Sequence, residues 1–178
     1  MASYFSYFAY GSNMLTERLV VRCPSARAVS PAHVYGYRLE FSKRSKDQSG
    51  KATLVKATDS IVHGVLFEID HSELAALDKA EGASYGYERV TVEVQLAKGN
   101  QLIDAHSYLA TELDPTLRPY TWYKALVVAG AAQHRLPEAH RLEISALEAT
   151  DDTNLERASR CSAITVLKKA GFENLIGK

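Results

Sequence analysis

The sequence predicts an α+β fold in one domain spanning residues 1–178, and three observations carry that reading. Strand-like runs crowd the chain up to Leu109, and helical patterns follow Pro115 and Pro119. Strands neighbour strands instead of alternating with helices, and neither a Gly-x-Gly-x-x-Gly nor a phosphate-loop motif occurs, which disfavours a doubly wound nucleotide-binding sheet. No Pro/Gly/Ser-rich stretch divides the 178 residues, which suffice for one core.

Tyr4 to Tyr10 is rich in aromatic residues and reads as a first strand, closed by Gly11. Met14 to Arg22 has helical spacing and stops before Pro24, so the first turn joins a strand to a helix. From Val34 to Phe41 the pattern alternates, which puts Tyr35, Tyr37, Leu39 and Phe41 on one face. Thr53 to Lys56 and Val62 to Ile69 add two more strands of an antiparallel or mixed sheet. Asp70 with Glu73 has the spacing of a helix N-cap and its acidic third position. It predicts a short helix from Ser72 to Lys79 with Leu74, Ala76 and Leu77 as its apolar face. Tyr87 to Leu96 and Leu102 to Leu109 form a hairpin through Lys98-Gly99-Asn100. Three C-terminal helices follow: Tyr120 to His134, Glu138 to Leu147, and a segment opened by Thr153 and Glu156 and ended by Gly171.

Composition narrows the partners. Hydrophobic residues make up 46% and charged residues 24%, which argues for a packed globular chain. Twenty-one basic against twenty-one acidic side chains leave no overall field to attract nucleic acid or an anionic membrane, so a charged ligand must be read locally. The basic run from Lys43 to Lys51 reads as a solvated loop between strands. Met1-Ala2-Ser3-Tyr4 carries no basic leader, and no apolar run approaches a membrane span, so a cytoplasmic protein is expected. Cys23 and Cys161 have no partner motif and are expected to be reduced packing residues. The six histidines show no ligand spacing, so neither a metal nor another cofactor is expected.

Two segments carry candidate chemistry. Phe8-Ala9-Tyr10-Gly11-Ser12-Asn13-Met14 sets glycine and small polar residues where a strand hands over to a helix. Free backbone N–H groups there can hold a carboxylate without a basic side chain; the same residues also suit a simple helix cap and turn. Leu77-Asp78-Lys79-Ala80-Glu81-Gly82 ends a helix, and Glu81 either faces solvent or points into a cleft.

Together these segments resemble the γ-glutamylcyclotransferase family. The likeness rests on Phe8 to Asn13, Cys23-Pro24-Ser25, Leu77 to Gly82, Ser107 to Leu109, Tyr123-Lys124 and Gly130-Ala131, in the family's order. It implies a small, distorted mixed β-barrel with peripheral helices, and an enzyme that closes a γ-glutamyl group to 5-oxoproline and releases the amine. It implies Glu81 as the acid/base, and the loop Tyr10, Gly11, Ser12, Asn13, Met14 and Leu15 as the γ-glutamyl cradle with Tyr123 beside it. A small-molecule γ-glutamyl substrate and a homodimer follow from the same resemblance. Cys23 and Trp122 depart from the family pattern, and nothing beyond Thr150 matches it. A γ-glutamyl amine, a natural-product intermediate, or a non-catalytic binding role on the same fold remain alternatives.

The chemistry sets its own demands. The substrate's α-amine must be deprotonated to attack the γ-carbonyl, and a glutamate near an ordinary pKa of about 4.3 is a weak base for it. The expectation is an apolar wall around Glu81, built by tyrosines. Tyr87, Tyr108 and Tyr123 are candidate donors to the substrate or the tetrahedral oxygen.

Overall fold

The computed structural model describes residues 3–83 and 85–176. Five strands close into a barrel in the order β1-β3-β2-β4-β5, with β1 covering Tyr4–Ala9, β2 Arg27–Arg44, β3 Gly50–Asp70, β4 Tyr87–Leu96 and β5 Leu102–Ala110. Neighbours run antiparallel except where β5 meets β1 side by side, with Tyr7 opposite His106, so the barrel is mixed. Five α-helices complete the fold: α1 Thr16–Arg22, α2 Leu74–Glu81, α3 Thr121–Gln133, α4 Glu138–Ala146 and α5 Ala158–Lys169. Phe8, Leu66, Phe67, Ile69 and Leu77 are fully buried, as are Leu126 of α3 and Leu167 of α5, so barrel and helices share one apolar interior.

Several sequence expectations change in detail. The alternation from Val34 to Phe41 does not hold one face: Gly36 takes φ +75° and the register slips between Tyr35 and Tyr37. A bulge of this kind re-aims the chain, which leaves Tyr35 57% exposed while Phe41 is buried. The two strands expected at Thr53–Lys56 and Val62–Ile69 are parts of one long β3, because residues 57–60 form the irregular stretch opposite Gly36. Gly99 and Asn100 both take positive φ at the β4–β5 turn, as a tight hairpin requires.

In α2 the Asp70 side chain accepts from the Ser72 N–H at 2.9 Å, as an N-cap should, but Glu73 turns away to accept from the Ser25 backbone and hydroxyl. Only Leu77 of its expected apolar face is fully buried, and Ala76 is exposed. The last helix begins at Ala158, later than Thr153, because Asp152 ties down the intervening turn by accepting from Asn154 N–H, Trp122 Nε1 and Arg157. That same contact accounts for Trp122, whose indole fastens α3 to the C-terminal segment.

Gly130 decides how the first loop is seated. A Cβ at this position of α3 would lie 2.6 Å from the Leu15 nitrogen and the Met14 Cβ, so the residue's lack of a side chain lets the Ser12–Met14 turn rest directly on the helix. Among the described residues, no helix is long and apolar enough to cross a membrane.

Candidate active site

The turn after β1, the end of α2 and one face of α3 meet at a single cleft of about 300 Å3, open mouth included. Tyr10, Gly11, Ser12, Asn13, Glu81, Tyr87, Tyr108 and Tyr123 line it, together with Tyr7 and Ala52. The cradle is only partly as expected. Met14 and Leu15 are fully buried, and their N–H groups bond back to the carbonyls of Gly11 and Ser12. The N–H groups of Gly11, Ser12 and Asn13 have no acceptor among the described residues, which leaves those three to meet an anion.

Glu81 arrives on the last turn of α2, which stops at Gly82 in the left-handed conformation (φ 69°). The helix start is held by Glu73 on Ser25, and Ser25 also accepts from the Asp70 N–H at 2.9 Å. Asp78 and Glu81 share a face at i, i+3. Asp78 accepts from the Tyr108 hydroxyl at 2.7 Å and pairs with Arg89 at 2.7 Å, which anchors the turn to the β4–β5 hairpin.

The Glu81 carboxylate is held on one side. Asn13 Nδ2 donates to Oε1 at 2.6 Å and Arg22 Nη1 to the same oxygen at 2.8 Å. Arg22 also donates to Asn13 Oδ1 at 2.8 Å, closing a three-membered network. Oε2 has no partner among the described residues, and Glu81 lines the cleft, so one carboxylate oxygen is tied and the other is not. Arg22 stood outside the sequence reading. Its signal was present, since Arg18 and Arg22 fall at i, i+4 on the helix that follows the candidate loop. Tyr7 was missed as well, hidden among the aromatics of β1.

The expected tyrosine wall is there, and its hydroxyls divide into two kinds. Tyr10 donates to the Tyr108 carbonyl, Tyr87 to the Ala52 carbonyl at 2.6 Å and Tyr108 to Asp78. Those protons are committed within the protein. Tyr123 instead accepts from the Ala52 N–H at 3.2 Å, and Tyr7 accepts from Asn13 Nδ2 at 3.1 Å, so each keeps a proton to offer. Burial pushes the pKa of all five phenols up, so they stay neutral at neutral pH.

Nothing in this arrangement resembles a metal centre: no group of three or more potential ligands occurs among the described residues. A carboxylate oxygen without a partner among the described residues, an amide-rich bend and two phenols gather around this one small cleft. A family model described as gamma-glutamyl cyclotransferase, AIG2-like, matches residues 7–125, which contain all of these groups. The chain belongs to that family.

Relatives and solved structures agree. The bovine protein named gamma-glutamylcyclotransferase is 34% identical over 153 residues, covering 83% of this chain and 80% of its own length. The human protein of the same name is 34% identical over 155 residues, covering 84% and 81%. A solved structure named gamma-glutamyl cyclotransferase superposes with a TM-score of 0.84 at 31% identity, covering 92% of this chain and 99% of its own. The barrel expected from the family resemblance is thus the fold observed, and the family match ends before α4 and α5.

Proposed function

We propose that this protein is a γ-glutamylcyclotransferase that converts a γ-glutamyl amino acid or amide into 5-oxoproline and the free amine. The observation that carries the reading is the one-sided hold on Glu81: Oε1 is fixed by Asn13 and Arg22, Oε2 has no partner among the described residues, and Glu81 shares its cleft with Gly11, Ser12 and Asn13. The substrate's α-carboxylate sits on those amides, which places its α-amine at Oε2. Glu81 takes a proton from the amine as the nitrogen attacks the γ-carbonyl carbon. Tyr123 and Tyr7 are positioned to donate to the oxygen that gains charge. Glu81 then returns the proton to the departing nitrogen, so one carboxyl serves both halves and neither water nor metal is consumed.

Ring closure itself is helped by tethering. Nucleophile and carbonyl belong to one molecule, so a site that only folds the chain correctly captures much of the gain available to intramolecular reactions. The same reading makes the protein a single-domain, cytoplasmic enzyme acting on a small molecule, assembled as a homodimer, which light scattering would test. Chromatography of 5-oxoproline released from γ-glutamyl-alanine tests the activity. Wild type is expected to form it and Glu81→Gln to lose about a hundred- to ten-thousandfold in kcat. Free glutamate as the product would mean hydrolysis, and equal turnover by the variant would remove Glu81 from the mechanism.

A further inference from the structure

A second hollow of about 640 Å3, open mouth included, adjoins the Glu81 cleft and shares Tyr123 as a wall. Arg18, Lys46, Lys51 and Arg157 line it, and Asp47 is the one carboxylate among its lining residues. Far from being a solvated loop residue, Lys51 is mostly enclosed: its ammonium sits 4.7 Å from the centre of the Tyr123 ring and 4.9 Å from that of Trp122, and pairs with Asp47 at 3.0 Å. Arg157 is likewise satisfied, with Asp152 at 2.6 Å.

Arg18 is not. Its Nε donates to Ser12 Oγ at 3.1 Å, and its two Nη groups have no acceptor among the described residues. Enclosure and the nearby charge of Arg22 lower its pKa to about 10, so it is still a cation at neutral pH. A half-buried guanidinium with spare donors and no paired carboxylate is ready to take an anion in charge-assisted hydrogen bonds. Ser12 lines the Glu81 cleft and Arg18 the second hollow, so their hydrogen bond sets the guanidinium at the seam between the two.

We infer that the second hollow is the leaving-group subsite, in which Arg18 binds the carboxylate of the amino acid that cyclisation releases. The inference rests on the proposed cyclotransferase activity. In a γ-glutamyl amino acid that carboxylate carbon lies two covalent bonds from the scissile nitrogen, about 2.5 Å away, so only a cation beside the reaction centre can reach it. Arg22 already donates to Glu81 and Asn13, Lys51 and Arg157 are paired with Asp47 and Asp152, and Lys46 is exposed. Arg18 is therefore the half-buried cation of the hollow with no carboxylate partner among the described residues. The hollow beyond, walled by Trp122 and Tyr123, gives the leaving side chain room. The subsite therefore demands the carboxylate and tolerates variety in the side chain.

The test compares γ-glutamyl-alanine with γ-glutamyl-ethylamide, which keeps the short carbon chain and lacks the carboxylate. Wild type is expected to favour the alanine substrate by roughly ten- to a hundredfold in kcat/KM, mostly through KM, the worth of one hydrogen bond between charged groups. Arg18→Gln should bring the ratio towards one, and Arg18→Lys should retain part of it, with thermal melting as the check on folding. If the Gln variant does not fold, the wild-type ratio and that of the Lys variant decide the matter. A wild-type ratio near one, or a Gln variant that loses both substrates by the same factor, overturns the subsite and leaves the cyclotransferase reading standing. No 5-oxoproline from either substrate would remove that reading and the subsite with it.

Discussion

Two places in this molecule gather titratable side chains that are far apart in sequence, and they are held together in different ways. Around Glu81, residues from the first loop, α1 and α2 are joined by directed hydrogen bonds that use up one carboxylate oxygen and free the other. Where α4 packs on β2 and β3, the rings of His33 and His63 lie 5.5 Å apart and those of His63 and His140 lie 5.3 Å apart. The histidines touch ring to ring, with neither a strong carboxylate partner nor a metal-holding group among the described residues. Proximity alone is packing. A site also needs a charge arrangement that leaves one atom unfinished beside a cavity.

Exchanging one residue from each cluster gives the largest contrast. Glu81→Gln is expected to lower turnover about a hundred- to ten-thousandfold, whereas His63→Gln should leave 5-oxoproline formation within about twofold, as for most changes away from the chemistry. A comparable loss in both would erase the distinction between the clusters.

Arg22→Met sharpens it next. The Arg22 and Glu81 side chains are 23% and 15% exposed, so solvent screens the pair in part and the expected cost is about 1–2 kcal/mol, or five- to thirtyfold in kcat. A variant with unchanged kcat would mean that Asn13 alone aims the carboxylate.

Gly130→Ala probes the support beneath the loop, where a methyl group would meet backbone 2.6 Å away. Overpacking of this kind is expected to cost about 1–3 kcal/mol in urea unfolding and to raise KM as the Ser12–Met14 turn shifts. Full stability with unchanged KM would show that the turn does not depend on this close approach.

The smallest effect belongs to the histidines and appears in stability. Burial first, then the neighbouring His140 and His33, lower the pKa of His63 to about 4, against about 6.5 in the unfolded chain. Between those values the unfolded state binds more protons, so stability is intact above pH 6.5 and falls as the pH drops towards 4. The urea midpoint should decline from pH 7 to pH 5, and His63→Gln should flatten that decline.

How much of this was legible depended on how local the physics was. The β4–β5 hairpin could be read because Gly99 and Asn100 must adopt positive φ at adjacent positions. The face switch at Gly36 could not, since a glycine in an alternating run does not announce which partner strand it will slip against. Glu81 and the first loop were reached through motif resemblance, because a glutamate beside a glycine has no physical signature of its own. Arg18 and Arg22 went unread because their partners, Ser12, Asn13 and Glu81, lie on elements whose mutual placement the local pattern does not encode.

The sequence by itself determined the fold class, most of the elements and the residue types at the site, since propensity, turn chemistry and hydrophobic period act within a few residues. Only the tertiary structure decided which carboxylate oxygen is tied, which tyrosines still have a proton to give, and which of Arg18 and Arg22 is paired with Glu81. Those outcomes depend on hydrogen bonds a few ångströms long between residues as many as ninety-eight positions apart. Barrel closure and the seating of the first loop on Gly130 are what bring such groups into register.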